Sequence, residues 1–73
     1  MSIKKRIMEI LADGYADGFT ICCIMYAEEV RKYPQHGNNR KRADKFSGDV
    51  MQKLADLTEA GIIEWCCSKY RIR

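Results

Sequence analysis

Apolar residues recur at helical spacing at both ends of the chain. Ile3, Ile7, Ile10 and Leu11 form one stripe, and Lys4, Lys5, Arg6 and Glu9 lie elsewhere on the wheel. This predicts an amphipathic helix over residues 2–13. Ser2 is placed to cap it and Asp13-Gly14 to stop it. Asp17-Gly18 is a second turn signal, and Phe19-Thr20-Ile21 after it is apolar and β-compatible, which predicts a short strand. Over residues 23–33, Cys23, Tyr26, Ala27 and Val30 share a helical face, with Ile24 at its edge and Glu28 and Glu29 outside. Pro34 ends that helix, because proline disfavours helical backbone at the residue before it.

The most strongly patterned stretch is residues 44–73. With Val50 at zero on a helical wheel, Phe46, Leu54 and Leu57 fall within about forty degrees of it. Ser47 can cap a helix there, or Asp44 one turn earlier. Gly61 follows Glu59-Ala60, where a helix end wants a residue that tolerates positive φ. Ile62-Ile63-Glu64-Trp65 and Tyr70-Arg71-Ile72-Arg73 then read as two strands with a tight connection, with Trp65 and Tyr70 stacked across them. Residues 34–42 are too long for a tight turn. Either they form a mobile basic loop, or the third helix begins earlier than its apolar stripe.

Length and charge narrow the picture. Seventy-three residues allow one domain with one small core. No apolar run approaches a membrane span, and the N-terminus lacks the continuous apolar segment of a signal peptide, so a cytoplasmic protein without a membrane partner is expected. The net charge of +3 is unevenly distributed. Arg31, Lys32, Arg40, Lys41, Arg42 and Lys45 face only Asp44 between residues 31 and 45, and Lys69, Arg71 and Arg73 gather at the C-terminus.

The run VMQKLADLTEAGIIEW, residues 50–65, resembles the end of a recognition helix, its glycine and the first wing strand of the winged helix-turn-helix superfamily. These are the small DNA-binding domains of many bacterial and phage regulators. The resemblance implies an α+β, mainly α fold: three helices, a C-terminal β-hairpin wing, and a short strand at Phe19–Ile21 that pairs with the wing. It places the third helix in the major groove, with both basic segments beside that face. Lys45, Ser47, Gln52 and Lys53 are then groove-side candidates. Arg40, Lys41 and Arg42, with Lys69 and Arg71 of the wing, are phosphate candidates. One feature opposes this. The outward strip of Lys45, Gly48, Asp49, Gln52, Asp56 and Glu59 carries one base against three acids.

The cysteines form two doublets, Cys22-Cys23 and Cys66-Cys67, which this fold would bring near one another. Zinc ligands are usually two to four residues apart, since adjacent side chains point in different directions, so the doublets read as buried or incidental thiols, with no metal or other cofactor. His36 is the single histidine, with no nucleophile or phosphate-cradling glycine motif beside it, so no enzymatic activity is expected. Two functions remain. One is a sequence-specific regulator of phage or mobile-element type on double-stranded DNA, dimerising through its first helix or wing. The other is a protein-binding winged-helix module, such as a phage-encoded inhibitor of a host complex.

Overall fold

Each helix start is set by a side chain that accepts a backbone N–H. In the computed structural model, which describes residues 2–73, Ser2 Oγ accepts from the Lys5 amide at 3.1 Å and opens α1 (Ile3–Ala12). Asp17 accepts from Thr20 at 2.6 Å and opens α2 (Gly18–Lys32). Asn39 accepts from Arg42 at 3.1 Å and opens α3 (Arg40–Glu59). A 3₁₀ turn (Pro34–Asn38) joins α2 to α3. Strands β1 (Ile63–Cys66) and β2 (Lys69–Ile72) form one antiparallel hairpin. The fold is thus α+β and mainly helical. No described helix is long and apolar enough to cross a membrane.

The Asp17 cap corrects two expectations at once. Phe19-Thr20-Ile21 is the first turn of α2 and not a strand, because a satisfied N-cap decides the backbone where β propensity is only a weak preference. The pairing expected of that strand belongs to Ala16, whose N–H and C=O both bond to Tyr70, at 3.1 and 2.8 Å. The buried face of α2, which starts at Gly18 and not at Cys23, also lies about one residue from the expected one. Ile21, Cys22 and Met25 are buried, whereas Cys23, Ile24 and Ala27 are exposed and Tyr26 and Val30 half-buried. Glu28 and Glu29 are not outside. They are half-buried, Glu28 ion-paired with Arg6, and Glu29 hydrogen-bonded to His36 and ion-paired with Arg42.

The third helix likewise begins earlier than its apolar stripe. Asp44 and Ser47 lie inside α3 and cap nothing, and residues 34–42 form a 3₁₀ turn followed by helix rather than a loop. Contacts between α2 and α3 step along the two helices in opposite senses. Gly18 abuts Met51, Cys22 Sγ approaches the Ser47 carbonyl at 3.9 Å, the Tyr26 and Phe46 rings meet at 5.5 Å, and Glu29 faces Arg42. The pair is an αα-hairpin, and its connector of residues 33–39 is longer than the turn of about three or four residues in a helix-turn-helix.

One core fills the space between α1, the α2–α3 hairpin and β1. Ile7, Leu11, Ala16, Ile21, Cys22, Met25, Val50, Leu54, Leu57 and Ile63 are buried, with Ile3, Ile10 and Phe46 packed against them. After α3 the chain turns in a Schellman motif. Ile62 N–H donates to Leu57 O at 3.0 Å and Gly61 N–H to Thr58 O at 3.1 Å, with Gly61 at φ +78°. This turn aims Ile63 into the core and sets β1 against β2.

Trp65 and Tyr70 are register partners, yet their rings do not stack. Among the described residues the aromatic ring pairs are Tyr26–Phe46 and Tyr33–His36. Tyr70 packs instead toward Gly18 and Met51, and leaves Trp65 58% exposed. The hairpin turn places two non-glycine residues, Cys67 (φ 56°) and Ser68 (φ 66°), in left-handed backbone. A turn of this hand favours Asn-Gly, because side chains at positive φ crowd the backbone. Cys67→Asn with Ser68→Gly should raise stability by about 1 kcal/mol in urea unfolding. An unchanged or lower midpoint would show that this turn is not strained.

Candidate nucleic-acid interface

The αα-hairpin brings two basic runs together. The last turn of α2 carries Arg31 and Lys32, and beside it the first turns of α3 carry Arg40, Lys41 and Arg42, with Lys45 one turn further on. All six are exposed. Local chemistry explains both halves. Cations at a helix C-terminus favour its exposed carbonyls, and the Asn39 cap makes helix of a stretch that apolar spacing alone leaves undefined. Arg31 and Lys32 are absent from the candidates read from sequence. Their place beside α3 depends on the two helices running antiparallel.

These six cations are differently engaged. Arg42 Nε lies 3.8 Å from Glu29 Oε2, which also receives His36 Nδ1 at 3.0 Å. Lys32 Nζ stands 5.7 Å from the Tyr33 ring centroid. Arg31, Arg40, Lys41 and Lys45 make no ion pair within the described residues. At 100° per residue, Lys41, Lys45, Gly48 and Gln52 lie within about sixty degrees of one another. They form a strip directly opposite Val50 and Leu54. Asp49 flanks this strip, and Gln52 donates from Nε2 to Asp56 Oδ1 at 3.0 Å. Asp56 and Glu59 follow about 16 and 21 Å beyond Lys45 along the axis. The strip is therefore basic at its N-terminal half and acidic at its C-terminal end. Ser47 lies off it, half-buried with its carbonyl toward Cys22, and Lys53 is half-buried on the flank.

The basic wing does not join this cluster. Lys69 lies close enough to Asp17, the cap of α2, to help hold its carboxyl down, whereas Arg42 meets Glu29 near the other end of the helix, roughly 18 Å along the axis. Arg71 is hydrogen-bonded to Glu64 and stands 5.9 Å from the Tyr15 ring centroid, and its bond to Glu64 holds its pKa above the ordinary value. The cysteine doublets do not meet either. Cys22 is buried, where burial raises its thiol pKa, and Cys66 and Cys67 are exposed in the wing. Among the described residues no three His, Cys, Asp or Glu side chains are grouped to hold a metal ion.

A second polar link ties α1 to α2. Arg6 Nε donates to both carboxylate oxygens of Glu28, at 2.9 and 3.0 Å, and this bond lowers the Glu28 pKa. Asp17 is lowered likewise by its bonds from Thr20. A carboxylate depressed in the folded state contributes stability above its unfolded pKa and loses it as pH falls through the folded one. Glu28→Gln and Asp17→Asn together should therefore flatten the acid limb of the stability profile below the usual carboxylate range. A limb of unchanged steepness in pH-dependent thermal melts would assign acid sensitivity to other groups. Tyr15 and Phe19 complete the surface features absent from the sequence candidates. They are 67% and 79% exposed and flank the start of α2.

Comparison with protein-family models, with curated proteins and with solved structures gives no match to this chain.

Proposed function

We propose that this is a small, non-enzymatic double-stranded-DNA-binding protein that lays α3, from its start to Gln52, in the major groove. The observation that carries this reading is the cationic end of the αα-hairpin. Arg31, Arg40, Lys41 and Lys45 are exposed and free of internal ion pairs among the described residues, and they surround the start of a strip that continues to Gly48 and Gln52. Phosphates on either side of the groove take the arginines and lysines, while Gln52 offers an amide to a base edge once it leaves Asp56. The acids opposing this reading in the sequence are spaced along the axis. The turns up to Gln52 enter the groove with Asp49 on their flank, and Asp56 and Glu59 then stand at its rim. Lys69 of the wing meets phosphate further along the duplex. The order of three helices and a hairpin supports a winged-helix type, and a regulator of phage or mobile-element origin is its expected setting.

Fluorescence anisotropy on a labelled random duplex, at low and at near-physiological salt, tests the proposal. Binding that weakens steeply with salt supports it, and absence of binding at low salt overturns it. A protein-binding role is favoured by one separate observation, the exposed rings of Tyr15, Phe19 and Trp65. On that reading the duplex assay is silent, and a host protein occupies those rings.

A further inference from the structure

Nothing in the DNA-binding reading uses the exposed thiols at the wing tip. Cys66 closes β1 and Cys67 opens the turn, and their sulfurs stand 3.6 Å apart, both in the reduced state. Adjacent side chains ordinarily point apart, but the left-handed backbone of Cys67 swings its Sγ to the side of Cys66. The separation is chemically informative. Two thiolates on a tetrahedral ion with bonds of about 2.3 Å have sulfurs about 3.8 Å apart, whereas a linear two-thiolate ion needs about 4.6 Å. The two thiols, in S–H···S contact at 3.6 Å, therefore stand within a small side-chain rotation of the bite of a tetrahedral, zinc-class ion.

Two ligands leave half of a tetrahedron open, and the chain has no further donor in place. His36 is bonded to Glu29, Glu64 is tied to Arg71, and no third His, Cys, Asp or Glu joins the thiols among the described residues. A second copy supplies the missing pair by symmetry, since a two-fold axis through the metal converts one Cys66-Cys67 into four thiolates. The surroundings fit this arrangement. Trp65, Cys66, Cys67, Ser68 and Lys69 are all exposed, so two tips can approach end to end. A zinc ion with four thiolates carries a charge of −2, and Lys69, the register partner of Cys66, stands beside it with Arg71.

We propose that Cys66 and Cys67 form half of a structural tetrathiolate site for a zinc-class divalent cation, completed by the same two residues of a second copy. Assembly is a ligand exchange without redox change. Four S–H groups release four protons to buffer as four metal–sulfur bonds replace the ion's waters. Sulfur geometry alone carries this site, independently of the DNA-binding reading.

The test is a cobalt(II) titration of the full chain under reducing, anaerobic conditions. Expected are tetrahedral d–d bands and thiolate-to-cobalt charge-transfer absorption that saturate at one ion per two chains. Zinc should bleach the bands, and sedimentation should shift from monomer to dimer on metal loading. Cys66→Ser and Cys67→Ser should each abolish the bands while circular dichroism stays unchanged, and Cys23→Ser should retain them. Saturation at one ion per chain, unchanged sedimentation, absence of tetrahedral bands, or loss of the bands in Cys23→Ser each overturns the proposal.

Discussion

Replacing Arg40, Lys41 and Lys45 together by glutamine should make the salt dependence of duplex binding much shallower. Each phosphate contact releases counterions worth a slope of about −0.9, so removing three should flatten the plot of log affinity against log salt by about 2.7. The loss should be similar for all duplex sequences, because phosphate contacts carry no base information. These three residues are preferred to Arg42, whose guanidinium already faces Glu29 at 3.8 Å and whose removal would disturb the α2–α3 contact as well. The substituted positions are exposed and helical, and glutamine keeps helix propensity, so melting should be unaffected. Asp56→Asn with Glu59→Gln is the informative counterpart. If α3 enters the groove only as far as Gln52, neutralising acids at its far end should strengthen binding only slightly. A large gain there, or an unchanged slope in the triple variant, would move the interface away from this stretch of α3.

Ile21→Ala should destabilise the protein by about 2–5 kcal/mol, whereas Ile24→Ala should cost well under about 1 kcal/mol. The total stability of a domain this size is on the order of 4–11 kcal/mol, so the first change removes a large share of it and the second does not. The contrast comes from packing. Ile21 is fully buried in the core, and Ile24, three residues on, is 37% exposed. Urea midpoints of the two variants decide the helical phase of α2. Equal losses, or a larger loss at Ile24, would favour the face of Cys23, Tyr26, Ala27 and Val30 that the sequence pattern suggests.

That pattern misleads in α2 for an identifiable reason. The segment is apolar almost all round, from Phe19 through Ile24 to Tyr26, so no polar face marks which side is buried. In α1 and α3 lysines, arginines and acids interrupt the apolar stripe, and there the buried residues Ile7, Leu11, Val50, Leu54 and Leu57 are the ones the spacing selects. The start of α3 shows a different limit. Arg40 to Lys45 offers only Ala43 toward the core, too little apolar signal to separate helix from loop, and the helix there depends on the Asn39 cap and on the hairpin contact with α2. Asp17 is legible as a turn signal, but whether it makes a turn or a helix cap depends on how Gly18 to Ile21 pack in three dimensions.

Local chemistry written in the chain determined the apolar stripes of α1 and α3, the glycine stop at Gly61 and the two C-terminal strands, since each depends on neighbours within a few residues. The concentration of positive charge was equally legible. Tertiary structure alone decided the rest. It joined Arg31 and Lys32 to Arg40, Lys41 and Arg42 while holding Lys69 and Arg71 at the opposite end of α2, and it brought the Cys66 and Cys67 sulfurs to one side of the wing tip. Side chains distant in sequence meet only after the core has chosen how the helices run, and adjacent ones converge only after the hairpin register has forced the turn between them. Neither choice is encoded in the spacing of the residues concerned.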